Sequence, residues 1–526
     1  MKKYIFLLFA GFTFSVAQSQ EITDAIRYAQ DNLSGTARFR AMGGAFGALG
    51  GDLSSININP AGSAVFSNNQ ITLTLSNFNT KNNSNYFGTN TSATDNSFDM
   101  NQTGGVFVFK NQNPNSDWKK VSIAINYENT NNFDNSVFSA GTNPTNSVGG
   151  YFLSHANFGN GGTTVPQEFV NTNTGESISD LYSYLGSNLP NMQYPNLSGF
   201  AAQQAMMGYQ GYVINAIDDT NNNFPYVSNV TPGGNYYQEN SIYSNGYNGK
   251  LSFNIASSYK DKLYIGINLN SHFTDFYRST SFYESNTNPL STDYTARRLS
   301  FDNNLYTYGT GFSFQIGAIA KLTNEVRLGL AYESPTWYDL SDEFSQKLVV
   351  VRKNISGELP ADVVNPNIIN YYAPYQLQTP SEFTGSFAYV FRKTGLISID
   401  YSIKDYNNTK FQPENDFYYR GLNSEMNNIL NTSGELRIGV EYKIKALSLR
   451  GGYRFEESPY KNSKTIGDLN AFSGGLGYDF GVFKLDFSYA YAERNSQQGF
   501  FTQGFIDGPR INTINNNVSM TLLFEL

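Results

Sequence analysis

Few residues in this chain are of a type that does bond-making chemistry. Of its 526 residues two are histidine, His155 and His272, and none is cysteine. Thiolate nucleophiles, thiolate metal sites and disulfides are therefore absent, and haem capture by paired histidines has no support. No phosphate-cradling G-x-x-x-x-G-K-[ST] loop, no G-x-S-x-G nucleophile turn and no H-E-x-x-H zinc helix occurs. The run Asp218-Asp219-Thr220-Asn221-Asn222-Asn223 carries oxygen ligands that suit Ca²⁺, but it lacks the glycine turn and distal Glu of a calcium loop and reads as solvated. The residues thus point away from an enzyme and call for no metal and no cofactor. What remains is a set of charged residues inside strand-like segments: Arg327, Glu333, Asp400, Lys404, Arg437, Glu441, Arg450, Arg454, Lys484 and Asp486. Their chemistry is ion pairing and solvation.

The elements that carry these charges alternate with a period of two. In VFKLDFSYAY, Phe483, Leu485, Phe487, Tyr489 and Tyr491 alternate with Lys484, Asp486, Ser488 and Ala490. ELRIGVEYKI (435–444) and LISIDYSI (396–403) repeat the pattern, as strands with one greasy and one wet face do. Counting such segments gives about fourteen strands, near 69–80, 103–111, 118–129, 242–259, 262–278, 299–321, 326–340, 381–393, 395–407, 432–444, 446–457, 470–481, 482–494 and 513–526. Connectors alternate between tight and long. The tight ones are 112–117, Lys260-Asp261, 322–325, Thr394, Lys445 and the Gly481 region; the long ones are 81–102, 130–241, 279–298, 341–380, 408–431, 458–469 and 495–512. That asymmetry and the even count predict an all-β fold: a transmembrane antiparallel β-barrel. The segment NVSMTLLFEL puts Val518, Met520, Leu522, Phe524 and Leu526 on one face, as a closing wall strand requires.

Composition agrees. Charged residues are 15% and the net charge is −8, without the basic stripe that nucleic acid would need. No apolar run of helix-spanning length follows the N-terminus. Lys2 and Lys3, the apolar stretch Tyr4 to Phe14 and Ser15-Val16-Ala17 read as a signal peptide over 1–20 that exports the chain; with the barrel pattern, the expected destination is the outer membrane of a Gram-negative cell.

In such a barrel the charges named above face the lumen by parity, where mixed signs form a polar network; Arg327, Asp400, Arg437, Glu441, Arg450 and Arg454 are its expected members, and His272 faces the same way. Residues 21–68 precede the first wall strand and are too many for a simple lead-in. They hold a short amphipathic helix capped at Thr23, the small-residue run AMGGAFGALGG and then ININPAGSAVF from Ile56 to Phe66. The last begins like a short strand and is cut off at Asn59-Pro60, since proline fixes φ and donates no N–H. A barrel this wide is not filled by its wall side chains, so 21–68 is expected to form a hatch inside the lumen, with Asn59, Pro60, Ala61 and Gly62 as its junction to a barrel over 69–526. Gly104 and Gly105 mark a place where the wall is expected to kink.

The Gly-rich segment followed by INPAG at Ile58 to Gly62 resembles the start of the FadL-type outer-membrane transporters of long-chain fatty acids and aromatic hydrocarbons. GLAYESPTWY (329–338), SFAYVFRKTGLISIDYSIKDY (386–406) and ELRIGVEYKIKALSLRGGYRFEESP (435–459) resemble that family's strands in the same order, and the Asn-rich composition is like that of Bacteroidota members. The resemblance implies passive uptake of a hydrophobic ligand past the hatch, leaving through a lateral gap into the outer-membrane lipid, which would make Asn59 to Gly62 a gate and Gly104-Gly105 a lateral opening. It also leaves an alternative: a barrel of this shape that transports nothing and docks an outer-membrane secretion or assembly complex through long loops such as 130–241.

Overall fold

A computed structural model describes residues 20–30, 32–159, 162–218, 225–290, 293–392 and 394–526. The expected signal peptide, apart from Gln20, lies outside the described residues, as does most of the Asp218–Asn223 run.

Fourteen antiparallel strands close into a barrel: β1 Gln70–Tyr86, β2 Thr89–Lys110, β3 Trp118–Asn132, β4 Tyr236–Tyr259, β5 Leu263–Ser285, β6 Tyr294–Lys321, β7 Val326–Glu333, β8 Glu382–Phe391, β9 Gly395–Asp405, β10 Thr432–Ile444, β11 Leu447–Glu456, β12 Ile466–Asp479, β13 Phe483–Gln497 and β14 Arg510–Glu525. Closure is made by β14 on β1, in register from Gln70↔Glu525 to Asn85↔Arg510. Among the described residues every wall strand is paired on both sides, as a membrane-spanning sheet requires. Outward side chains stack in rows across the closing strands: Leu485, Leu522, Leu73 and Thr103 in one, Phe487, Met520, Leu75 and Met100 in the next. Thr72, Thr74, Ser519 and Thr521 point inward and are buried.

The turns at one end are short, and Leu526 N bonds Asn69 O there at 3.0 Å, so both barrel termini share the periplasmic rim. At the other end the strands run far past their expected limits. The segment 81–102 is not a loop: β1 and β2 continue through it and meet at Phe87-Gly88, whose φ values of 45° and 86° make a tight hairpin turn. The connector expected over 279–298 shrinks to the residues between Ser285 and Tyr294, and 341–380 holds a continuation of β7, Trp337–Asn354, paired with a strand over Gly357–Val364. These stretches are amide- and hydroxyl-rich, and above the lipid such side chains pair across strands as readily as apolar ones do within it.

The longest connector, 130–241, carries a strand at Asn135–Asn143 and helices α3 Gly149–Phe158, α4 Ile178–Asn188 and α5 Gly199–Gln210. Phe152, Tyr182 and Met206 pack with Phe282 and Phe301 of β5 and β6 into a buried cap over the lumen. A further helix, Phe417–Ile429, closes the rim between β9 and β10.

Candidate functional site

Residues 20–66 run inside the barrel as α1 Ile22–Ala29, α2 Ala37–Ala41 and two 3₁₀ segments, Leu53–Asn57 and Pro60–Val65. The first helix is capped at Glu21, not Thr23, because Asp24 Oδ2 accepts from Glu21 N at 2.9 Å. Ile56 and Asn57 are helical rather than extended: Asp52 caps their segment by accepting from Ser54 N at 3.0 Å. Asp52 also accepts from Thr36 Oγ1 at 2.8 Å, which joins this segment to α2.

Asn59 is buried, and its one amide holds three pieces of backbone. Its Oδ1 accepts from Ala61 N at 3.1 Å, capping the second 3₁₀ segment, while Nδ2 donates to Gly47 O at 2.7 Å and to Ala318 O of β6 at 3.0 Å. Pro60 sits where its missing N–H costs nothing. Its carbonyl accepts from Asn254 Nδ2 of β4 at 2.9 Å, Ile56 O from Asn268 Nδ2 of β5 at 2.8 Å and Asn57 O from Gln315 Nε2 of β6 at 2.9 Å. The wall makes room with glycine. A Cβ at Gly317 would collide with the Asn59 side chain, at Gly266 with the Pro60 carbonyl, at Gly329 with the Gly47 carbonyl, and at Gly439 or Gly452 with Met42. These sockets were missed in the sequence, although all five glycines share the lumen parity of their strands.

The six lumen charges do not form one network. Arg327 Nη1 donates to Leu49 O at 2.9 Å and Asp400 Oδ2 accepts from Gly47 N at 2.9 Å, so both bond hatch backbone. Glu441 lies near the periplasmic end with Arg450 Nε at 2.7 Å and Arg38 Nε at 2.8 Å, Arg38 being a hatch residue not anticipated from parity. Arg437 and Arg454 share Glu435 higher in the wall, with Glu456 at 3.0 Å from Arg454 Nη2. A vestibule of about 640 Å³, lined in part by Arg38, Glu441 and Lys484, opens on the periplasmic side.

At the α1 end of the hatch, Tyr28 enters an aromatic cluster with Phe133, Phe276, Tyr338, Tyr375 and Phe411; its ring centroid lies 5.5 Å from that of Tyr338. His272 faces this lumen and bonds Ser313 Oγ through Nε2 at 2.9 Å. His155 lies in α3 of the cap. On the side of β12, β13 and β14 the lumen is lined instead by the half-buried Ala471, Ala490, Ala492 and Asn515. At the foot of this side Arg40 of α2 is buried and pairs with no carboxylate among the described residues; Nε and Nη1 have no hydrogen-bond partner. The Phe78 ring lies 5.3 Å from its guanidinium, Asn517 accepts from Nη2 at 3.2 Å with its amide turned to present the oxygen, and burial lowers its pKa to about 10.

Gly104 and Gly105 lie in unbroken ladders, Thr72↔Gly104↔Asn126 and Ile71↔Gly105↔Ile125. The β1–β2 register shift falls between Thr74 and Leu75, and Asn101 there accepts Gly35 N at 3.1 Å. The wall is interrupted at another place. Ser334-Pro335-Thr336 separates β7 from its continuation at Trp337, and Thr379-Pro380-Ser381 separates Tyr375–Gln378 from β8, at one level in neighbouring strands. In both, the inward parity changes across the break, as a bulge produces. Thr336 N donates to Thr379 Oγ1 at 2.9 Å and Thr379 N to Thr336 O at 3.0 Å. Tyr338 and Tyr375 of the aromatic cluster lie inside; Leu330, Trp337 and Phe383 are exposed outside.

The profile of the outer membrane protein transport protein family (OMPP1/FadL/TodX) matches residues 219–504. The chain belongs to this family. As a FadL/TodX family member it is an outer-membrane β-barrel and a transport protein rather than an enzyme. The crystal structure of a Pseudomonas aeruginosa FadL homologue has the same fold, with a TM-score of 0.54 and 12% identity over 94% of this chain and 99% of that one. The P. putida toluene transporter TodX gives a TM-score of 0.47 at 13% identity, covering 94% of this chain and 99% of its own, and the Ralstonia pickettii toluene transporter TbuX gives 0.45 at 13%, covering 94% and 99%. No curated protein matches the chain in sequence.

Proposed function

We propose that this FadL/TodX family member takes up hydrophobic small molecules across the outer membrane by diffusion, with residues 21–66 as the gate and long-chain fatty acids as the ligand class. The observation that carries the reading is the aromatic cluster that Tyr28 of the hatch forms with the wall, beside the double break. These side chains close on one another, so α1 must shift to admit a ligand; an acyl chain then gains about 0.8 kcal/mol per CH₂ buried against them, enough to leave water and, spread over successive patches, not enough to be trapped. The break at Pro335 and Pro380 interrupts two neighbouring strands beside Tyr338 and Tyr375, and this reading makes it the exit, in place of Gly104-Gly105. Arg40 supports a fatty acid over a neutral hydrocarbon, because a buried guanidinium with two unpartnered nitrogens suits a carboxylate.

The test is uptake of a panel of long-chain fatty acids and aromatic hydrocarbons by cells with and without the protein. Faster uptake of at least one fatty acid is expected. No difference for any member overturns the transport reading and leaves the docking-subunit alternative.

A further inference from the structure

The apolar belt on β13, β14, β1 and β2 is followed upward by a different surface. After the row Tyr489, Val518, Asn77 and Phe98, the outward positions read Tyr491, Asn516, Asn79 and Asn96; then Glu493, Ile514, Lys81 and Thr94; then Asn495, Asn512, Asn83 and Ser92; and last Gln497, Arg510, Asn85 and Asn90. The amides are ordered by one another: Asn79 Nδ2 donates to Asn96 Oδ1 at 2.8 Å, Asn85 Nδ2 to Asn90 Oδ1 at 2.6 Å and Asn512 Nδ2 to Asn495 Oδ1 at 3.0 Å. Each amide carries two donor hydrogens and two acceptor lone pairs, so these bonds leave an array of donors and acceptors pointing outward. With Lys464 from the connector between β11 and β12, the upper rows line a concave cleft of about 880 Å³.

Height identifies what this face meets. From Tyr491 to Gln497 the wall rises about 15 Å, at 3.3 Å per residue and a tilt of about 40°. A phospholipid head-group layer is only about 5–8 Å deep on each side of the hydrocarbon. The upper amide rows therefore stand above phospholipid head groups, yet are continuous with the lipid-facing belt. Lys81, Arg510 and Lys464 against Glu493 leave the surface cationic.

We propose that this face is a docking site for the sugar head group of an anionic glycolipid whose acyl chains lie against the belt below. The amide rows bond sugar hydroxyls, Arg510 and Lys464 take the anionic substituents, and Tyr489 and Tyr491 mark the level where chain gives way to sugar. The inference is independent of what crosses the lumen.

The test reconstitutes the full chain in phospholipid nanodiscs doped with a phosphorylated lipooligosaccharide and counts retained glycolipid by native mass spectrometry. Wild type should retain it over phospholipid, and the combined Asn83→Ala, Asn495→Ala, Asn512→Ala and Arg510→Gln variant should bind it at least tenfold more weakly. Ser241→Ala, on the outer face of β4, should behave as wild type. Heat-modifiable migration reports folding; if the combined variant does not fold, single Arg510→Gln and Asn512→Ala variants carry the comparison. Equal retention by wild type and variants, or no preference for glycolipid, overturns the proposal. So does a photocrosslinker at Asn83 that captures a protein and no glycolipid in cells.

Discussion

Asn59 is the residue on which hatch and wall agree, since one side chain satisfies Ala61 N, Gly47 O and Ala318 O. Asn59→Ala leaves buried backbone groups without partners, at about 1–3 kcal/mol, while every interstrand bond of the barrel survives. The expected outcome is hydrogen exchange roughly tenfold or more faster over residues 46–66, with unchanged exchange in β4 to β6. Gly317→Ala should loosen the same segment from the wall side, because its Cβ collides with Asn59. Arg40 is predicted to act on ligand choice. Arg40→Gln keeps donors but removes the charge, so it should slow uptake of fatty acids at least tenfold and leave uptake of an uncharged aromatic hydrocarbon unchanged; equal slowing of both would make Arg40 a packing residue. The special status of Asn59-Pro60 was legible because proline and its neighbour restrict the backbone locally. Arg40 was not legible, since a buried orphan is defined by what surrounds it.

At the scale of elements, β7 and β8 break together, and among the described residues two hydrogen bonds between Thr336 and Thr379 join the two interrupted strands at the level of the break. Cross-strand neighbours are near enough for a disulfide. Thr336→Cys with Thr379→Cys should therefore block fatty-acid uptake when oxidised and restore it on reduction, whereas a cysteine pair at Ser76 and Ser519, whose hydroxyls lie 2.7 Å apart across β1 and β14, should not. The cap helix α3 makes a separate prediction. His155 Nδ1 lies 2.9 Å from Gln503 Nε2, Nε2 has no partner among the described residues, and burial pushes the imidazole pKa down to about 3. The opened helix would bind a proton near the ordinary histidine value of about 6.5, so the closed cap holds its full stability above that pH and loses it as pH falls toward 3. At pH 5 the loss is about 2 kcal/mol, seen as faster exchange in α3 than at pH 7.5, and His155→Phe should abolish the pH dependence. Neither element was legible as such. Alternation carries no mark of where a wall stops being lipid-facing, which is why Asn-rich 81–102 reads as a loop and folds as a hairpin.

For the molecule as a whole, the barrel and its filling rest on different physics. Strand number, closure and the tight turns follow from period-two alternation and from the cost of an unpaired edge in lipid, and fourteen strands were countable in the sequence on those grounds. The hatch depends on long-range fits of carbonyls and amides to glycine sockets separated by hundreds of residues, which no local period encodes. If the two are separable, a chain lacking residues 21–66 and exported behind a standard secretory leader should still close, because every ladder from β1 to β14 is made without them. The expected product migrates as a folded, heat-modifiable barrel but conducts ions in planar bilayers far above the intact protein, since Arg327, Asp400 and Glu441 would then line open water. A deletion that fails to fold would show that the lumen charges need Gly47, Leu49 and Arg38 as partners during closure, and the hatch would be a core rather than a gate.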